Sequence, residues 1–107
     1  MISIALGKIP VPTPGTPVPI TLTAAQKALL SPAGQCHKIE VWADTGDTGI
    51  SYVKDVAGNV IAPLPVPASG HCEHWHIETQ GNRVSPLAFA VDNSVGTNGP
   101  FVTLWVE

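Results

Sequence analysis

An all-β fold, an antiparallel β-sandwich or jelly-roll-like barrel, is what this sequence predicts, and three observations predict it. Eleven prolines and ten glycines in 107 residues interrupt the chain too often for long helices. Between the interruptions, short runs alternate apolar with polar side chains, as half-buried strands do. Turn signals recur at intervals of roughly eight to twelve residues, the rhythm of a sandwich rather than of strands alternating with helices. The length suits a single domain, 1–107, with room for one core.

Taken in order, Ile2, Ile4 and Leu6 alternate with Ser3 and Ala5 as a first strand ended by Gly7. Residues 1–19 are then read as an extended strand and Pro-rich arm, because Pro10, Pro12, Pro14, Pro17 and Pro19 forbid helix and remove ladder donors. Such an arm either lies along an edge of its own domain or reaches a neighbouring subunit, where extended backbone invites strand addition. Ile20 and Leu22 fit a short strand. Thr23 and Gln26 have capping-box spacing before Ala24-Ala25-Gln26-Lys27-Ala28, so one short helix is expected, stopped by Pro32 and Gly34.

Residues 36–53 read as a β-hairpin. Cys36-His37-Lys38-Ile39-Glu40-Val41-Trp42-Ala43 places His37, Ile39, Val41 and Ala43 on one face and Cys36, Lys38, Glu40 and Trp42 on the other. Two Asp-Thr-Gly triplets, at 44–46 and 47–49, supply the turn before Ile50-Ser51-Tyr52-Val53 resumes the strand. A turn at Ala57-Gly58-Asn59 leads to Val60-Ile61-Ala62, and Pro63, Pro65 and Pro67 break the chain again. From His71 onward Cys72, His74 and His76 share one face, and Glu73, Trp75 and Ile77 the other. Residues 87–91 form an apolar strand, and a loop from Asp92 precedes the last strand, in which Val102, Leu104 and Val106 oppose Phe101, Thr103 and Trp105. With both faces apolar, that last strand is expected in the middle of a sheet or at a subunit contact, through Phe101 and Trp105.

Charge narrows the partners. Lys8, Lys27, Lys38, Lys54 and Arg83 are scattered and outnumbered by eight acidic residues, so no basic stripe for nucleic acid is present. No apolar run reaches membrane-spanning length, and Met1-Ile2-Ser3-Ile4-Ala5-Leu6 lacks the charged lead of a secretory signal, so a cytosolic origin and reduced thiols are expected.

Together, Pro12-Thr13-Pro14-Gly15-Thr16-Pro17-Val18-Pro19-Ile20, His37-Lys38-Ile39, Gly46-Asp47-Thr48-Gly49-Ile50-Ser51-Tyr52-Val53 and the closing apolar strand resemble small β-rich structural proteins of tailed-phage virions. The resemblance implies a non-enzymatic capsid decoration (cement) protein, or a tail-adaptor part. It implies a localisation in the virion after assembly in the host cytoplasm, binding to the major capsid protein or other virion proteins, and a homo-oligomer, with a trimer favoured. It hands over no functional residue, and the Cys/His-rich strand departs from its pattern.

That strand is the densest chemical cluster. Cys72, His74 and His76 at alternate positions, completed by Cys36, would give zinc a tetrahedral site, though without the short spacings of strong zinc motifs. A disulfide between Cys36 and Cys72 is a rival reading, and inert thiols with surface histidines carry the most weight. No cofactor is expected apart from that zinc. Clustered histidines also permit a pH-sensitive contact. Asp44-Thr45-Gly46 resembles the active-site triplet of dimeric retroviral-type aspartic proteases, a remote alternative because the tail has neither the glycine nor the helix of those enzymes. The second function class is a small carbohydrate- or ligand-binding sandwich, with Trp42, Tyr52, Trp75 or Trp105 as stacking platforms.

Overall fold

Alternation along the chain is realised as strands, each with one face turned inward. The structure, a computed structural model, describes residues 1–66 and 73–107. Among them stand eight strands: β1 (Ile2–Lys8), β2 (Val18–Pro19), β3 (Lys38–Trp42), β4 (Ser51–Asp55), β5 (Val60–Leu64), β6 (His74–Glu78), β7 (Phe89–Asn93) and β8 (Phe101–Val106). One helical turn, α1 (Ala24–Lys27), and a 3-10 turn at Pro86–Ala88 complete the elements. The Thr23 hydroxyl accepts from the Gln26 amide at 3.1 Å and the Gln26 side chain accepts from the Thr23 amide at 2.9 Å, so the expected capping box is formed.

The strands make two four-stranded antiparallel sheets, ordered β1-β8-β3-β6 and β2-β7-β4-β5. In both sheets the pairs nest: first with eighth, second with seventh, third with sixth, fourth with fifth. A long hairpin rolled up on itself has this order, which is the jelly-roll form of the sandwich. The expected fold class stands.

Between the sheets lie Ile4, Ile39, Val41, Val102 and Leu104 from the first and Val53, Leu64 and Val91 from the second. Each such side chain stabilises the fold by about 1.5–3 kcal/mol through its removal from water. Trp75 and Phe89, one from each sheet, meet with ring centroids 5.5 Å apart.

The Pro-rich arm closes the domain it belongs to. Val11 and Ile20 are fully buried, Val18 pairs with Val91, and the Gly15 amide donates to the Asp92 carboxylate at 3.1 Å. Pro10, Pro12, Pro14 and Pro19 remain exposed and Pro17 half-buried.

The expected hairpin over residues 36–53 is not formed. β3 belongs to one sheet and β4 to the other, so the two Asp-Thr-Gly triplets carry the chain across the sandwich. The turn is pinned from outside its own strands. Asp47, with a side chain only 3% exposed, accepts from Lys8 Nζ at 2.9 Å and from the Gly99 amide at 2.9 Å. Asp44 accepts from Lys8 Nζ at 2.8 Å and from the Gly46 amide at 2.9 Å. Gly49 is required where the loop passes Asn93 and Ser94, since a Cβ there would overlap both side chains.

A second ion pair, Lys54 with Asp92 at 2.6 Å, spans β4 and β7 beneath the arm. Burial pushes the Asp92 carboxyl up, but the Lys54 ammonium and the Asn93 and Gly15 amides outweigh it and hold the group below its ordinary 3.8. Lys8 and the Gly46 amide likewise hold Asp44 below 3.8. A depressed folded-state carboxylate gives stability that is complete above its unfolded value and lost as pH falls through the folded one. The thermal midpoint, followed by circular dichroism, is therefore expected to hold down to about pH 5 and to fall below about pH 4, with a smaller acid loss in Asp92→Asn. Lys8 is raised above 10.5 by the Asp44 and Asp47 carboxylates, so its share of stability is complete below 10.5 and fades at more alkaline pH.

Candidate interaction surface

On the outer side of the first sheet, strand register sets side chains in rows. Trp42 lies opposite His74 on one neighbour and Phe101 on the other; Glu40 opposite His76 and Thr103; Lys38 opposite Glu78 and Trp105. β1 adds Ser3 beside Trp105 and Ala5 beside Thr103. Four strands at ordinary spacing make this a patch roughly 15 Å on a side. Phe101 is 42% exposed, His74 and His76 are exposed, and Trp42 and Trp105 are half-buried.

The aromatic groups are held rather than loose. Trp42 stacks on His74 with centroids 4.3 Å apart and planes 19° from parallel, and His74 stacks on His76 at 5.8 Å and 11°. The Trp105 indole N–H donates to the Glu40 carboxylate, which also has Lys38 Nζ at 4.0 Å. Ordered rings lose little side-chain freedom on docking, which favours binding by a rigid surface. The alternation of β3, β6 and β8 points to most of these side chains. Alternation also sets Lys38 and Glu40 on the face of Trp42; what it leaves unread is the bond between Trp105 and Glu40, residues 65 positions apart in the chain with no local signal of their pairing.

Other sequence-predicted site residues are placed elsewhere. Trp75 faces inward against Phe89 and offers no platform to a ligand. Tyr52 is half-buried on the second sheet, with Lys54 Nζ 5.7 Å from its ring centre. Cys36 does not share the face of His74 and His76. It lies fully buried in an isolated bridge with Val84, ahead of β3, and its thiol donates to the Val84 carbonyl at 3.5 Å. His37, its neighbour, is buried as well, with Nε2 at 3.1 Å from Glu78 and Nδ1 at 3.4 Å from the Gly81 carbonyl oxygen. The alternation read through 36–38 therefore fails at Cys36, which is read onto the face of Trp42 but lies in the core beside Val84.

Among the described residues no cluster of three His, Cys, Asp or Glu stands close enough to share a metal ion. His74 and His76 adjoin each other, Cys36 stands apart in the core, and Cys72 lies outside the described residues, as does its share in the zinc and disulfide readings. Burial pushes the Cys36 thiol up to about 11, so at neutral pH it is a protonated core group. Mass-resolved maleimide labelling is expected to leave Cys36 unmodified in the native chain and to modify it only after unfolding; rapid native labelling would contradict its placement. Asp44, the aspartate of the protease-like triplet, has both carboxylate oxygens occupied, by Lys8 and by its own turn. That is the arrangement of a structural turn.

No family model, curated protein or solved structure matches the chain.

Proposed function

We propose that this is a non-enzymatic structural protein of a phage particle, a decoration or cement protein that binds neighbouring capsid subunits and stabilises the shell. The observation supporting it is the outer face of the first sheet. There, pre-stacked and hydrogen-bonded aromatic groups stand half-exposed on a rigid four-stranded surface, the composition of an interface centre and not of a solvated sheet face. Fold alone carries no function, since jelly rolls serve capsid proteins and lectins alike. The surface and the resemblance of the chain point the same way. A contact of modest area suffices, because many copies on one shell act together.

Quantitative mass spectrometry of particles purified from the genome that encodes the chain tests this. The expected result is the chain in copy numbers commensurate with the major capsid protein. Its recovery only in the soluble fraction would overturn the reading.

The carbohydrate reading shifts from Trp75 to Trp105, where a half-buried ring bonded to the Glu40 carboxylate has the Lys38 ammonium close to that carboxylate. Glycan binding abolished by Trp105→Ala, with no binding to shells, would replace the capsid reading by this one.

A further inference from the structure

We infer that β1 is a strand-addition edge on which a second copy of this chain docks, joining the two first sheets into one across a two-fold axis. The inference rests on the proposed structural role to the extent that it names the contact between copies.

Sheet edges invite pairing, and proteins blunt them with short strands, prolines, charges or bulges. Of the four sheet edges among the described residues, three are blunted. β2 has two residues, the second of them Pro19, and Pro17 precedes it. β5 contains Pro63 and meets β4 through a register shift. β6 carries His74, His76 and Glu78 at three of its five positions. β1 is different: seven residues without proline, whose first six carry no charge, and whose only irregularity is the bulge between Ala5 and Gly7.

The edge is also self-complementary. Antiparallel pairing centred on Ile4 sets Ile4 against its copy, Ser3 against Ala5 and Ile2 against Leu6. No charged side chain meets a like-charged one in that register, which sets Met1 against Gly7 and leaves Lys8 beyond the paired residues. Ile2 shares the inward side of β1 with Ile4, being opposite the buried Val106, yet it is 53% exposed. Half-buried Leu6 lines a cleft of about 380 Å³ with Ile9, Leu22 and Thr23. In the paired register each Ile2 reaches the Leu6 side of the other copy, where this cleft opens. Backbone bonds along an edge with an apolar side chain seated beside it is the ordinary form of strand addition. The contact is isologous and closes at two copies, in place of the three-fold arrangement expected from sequence.

Sedimentation equilibrium of the purified full chain tests this, with charge variants at two exposed positions of the edge. The expected mass is twice 11.1 kDa. Ser3→Lys with Ala5→Lys sets lysines against lysines and is expected to raise the dissociation constant at least 100-fold. Ser3→Lys with Ala5→Glu sets Lys against Glu twice and is expected to restore pairing to within about tenfold of the unmodified chain. Circular dichroism melts identify any variant that fails to fold, and Ile2→Glu, at an exposed site, then repeats the disruption. A monomer at 100 µM (roughly, the top of the range for a functional contact), a trimer, or a dimer indifferent to these charges would overturn the inference. A chain that is monomeric but still found on particles would overturn it while leaving the capsid reading intact.

Discussion

Asp47→Ala is expected to lower stability by about 3 kcal/mol, which in a domain of this size moves the thermal midpoint down by roughly 15 °C. Most of that cost comes from the Gly99 amide, which loses its acceptor in a buried site. The broken ion pair contributes less, since Lys8 is 35% exposed and solvent screens it. The contrast between the two triplets is the informative part. Asp44→Ala removes a more exposed carboxylate with the same lysine and is expected to cost only about 1 kcal/mol. Asp47→Asn keeps an acceptor for the Gly99 amide and should fall between the two. Urea unfolding checks the series, and equal costs for Asp44→Ala and Asp47→Ala would show that the crossing loop is not anchored on Gly99. Gly99 itself has no freedom to change, because a Cβ there would overlap the Ile9 carbonyl oxygen. Gly99→Ala should therefore be at least as damaging as Asp47→Ala.

The largest expected effect on function comes from the outer face. Trp42→Ala with Phe101→Ala removes two adjacent rings of one row, and binding to shells that lack the chain is expected to weaken at least 100-fold, the loss of two interface anchors at roughly 1.5–2 kcal/mol each. Both side chains leave the core untouched, so the thermal midpoint should move by only a few degrees. Cosedimentation with such shells measures the first quantity and circular dichroism the second. Loss of binding matched by loss of fold would deprive the result of meaning for the surface, and Phe101→Ser alone, at an exposed position, would then decide it. Unchanged binding in the well-folded double variant would remove this face from the account.

Sequence carried the fold further than it carried the site. Alternation correctly assigned the faces of β8 and of β6 as far as it is described, and Thr23 with Gln26 announced the helical turn α1. Alternation could not separate a hairpin from a crossing loop at residues 44–49. Both give an inward Ile39 and Val41 followed by an inward Val53, and the choice is made by Lys8 and Gly99, which are distant in the chain. Period-two reasoning failed at Cys36 for a related reason: the residue pairs with Val84 outside the regular strand, so its side chain answers to that bridge and not to the β3 pleat. The same limit applies to the site. Trp42, His74 and Phe101 each had a readable face, but their meeting in one row depends on β3 lying between β6 and β8, an arrangement of the whole rolled-up chain.

Hydrogen exchange of the chain on and off the shell, resolved by peptide, tests the central claim most directly. The account predicts slowed exchange on binding in β3, β6 and β8, with β4 and β7 unaltered. Protection confined to β4 and β7, or no protection anywhere in a chain that demonstrably binds, would contradict it.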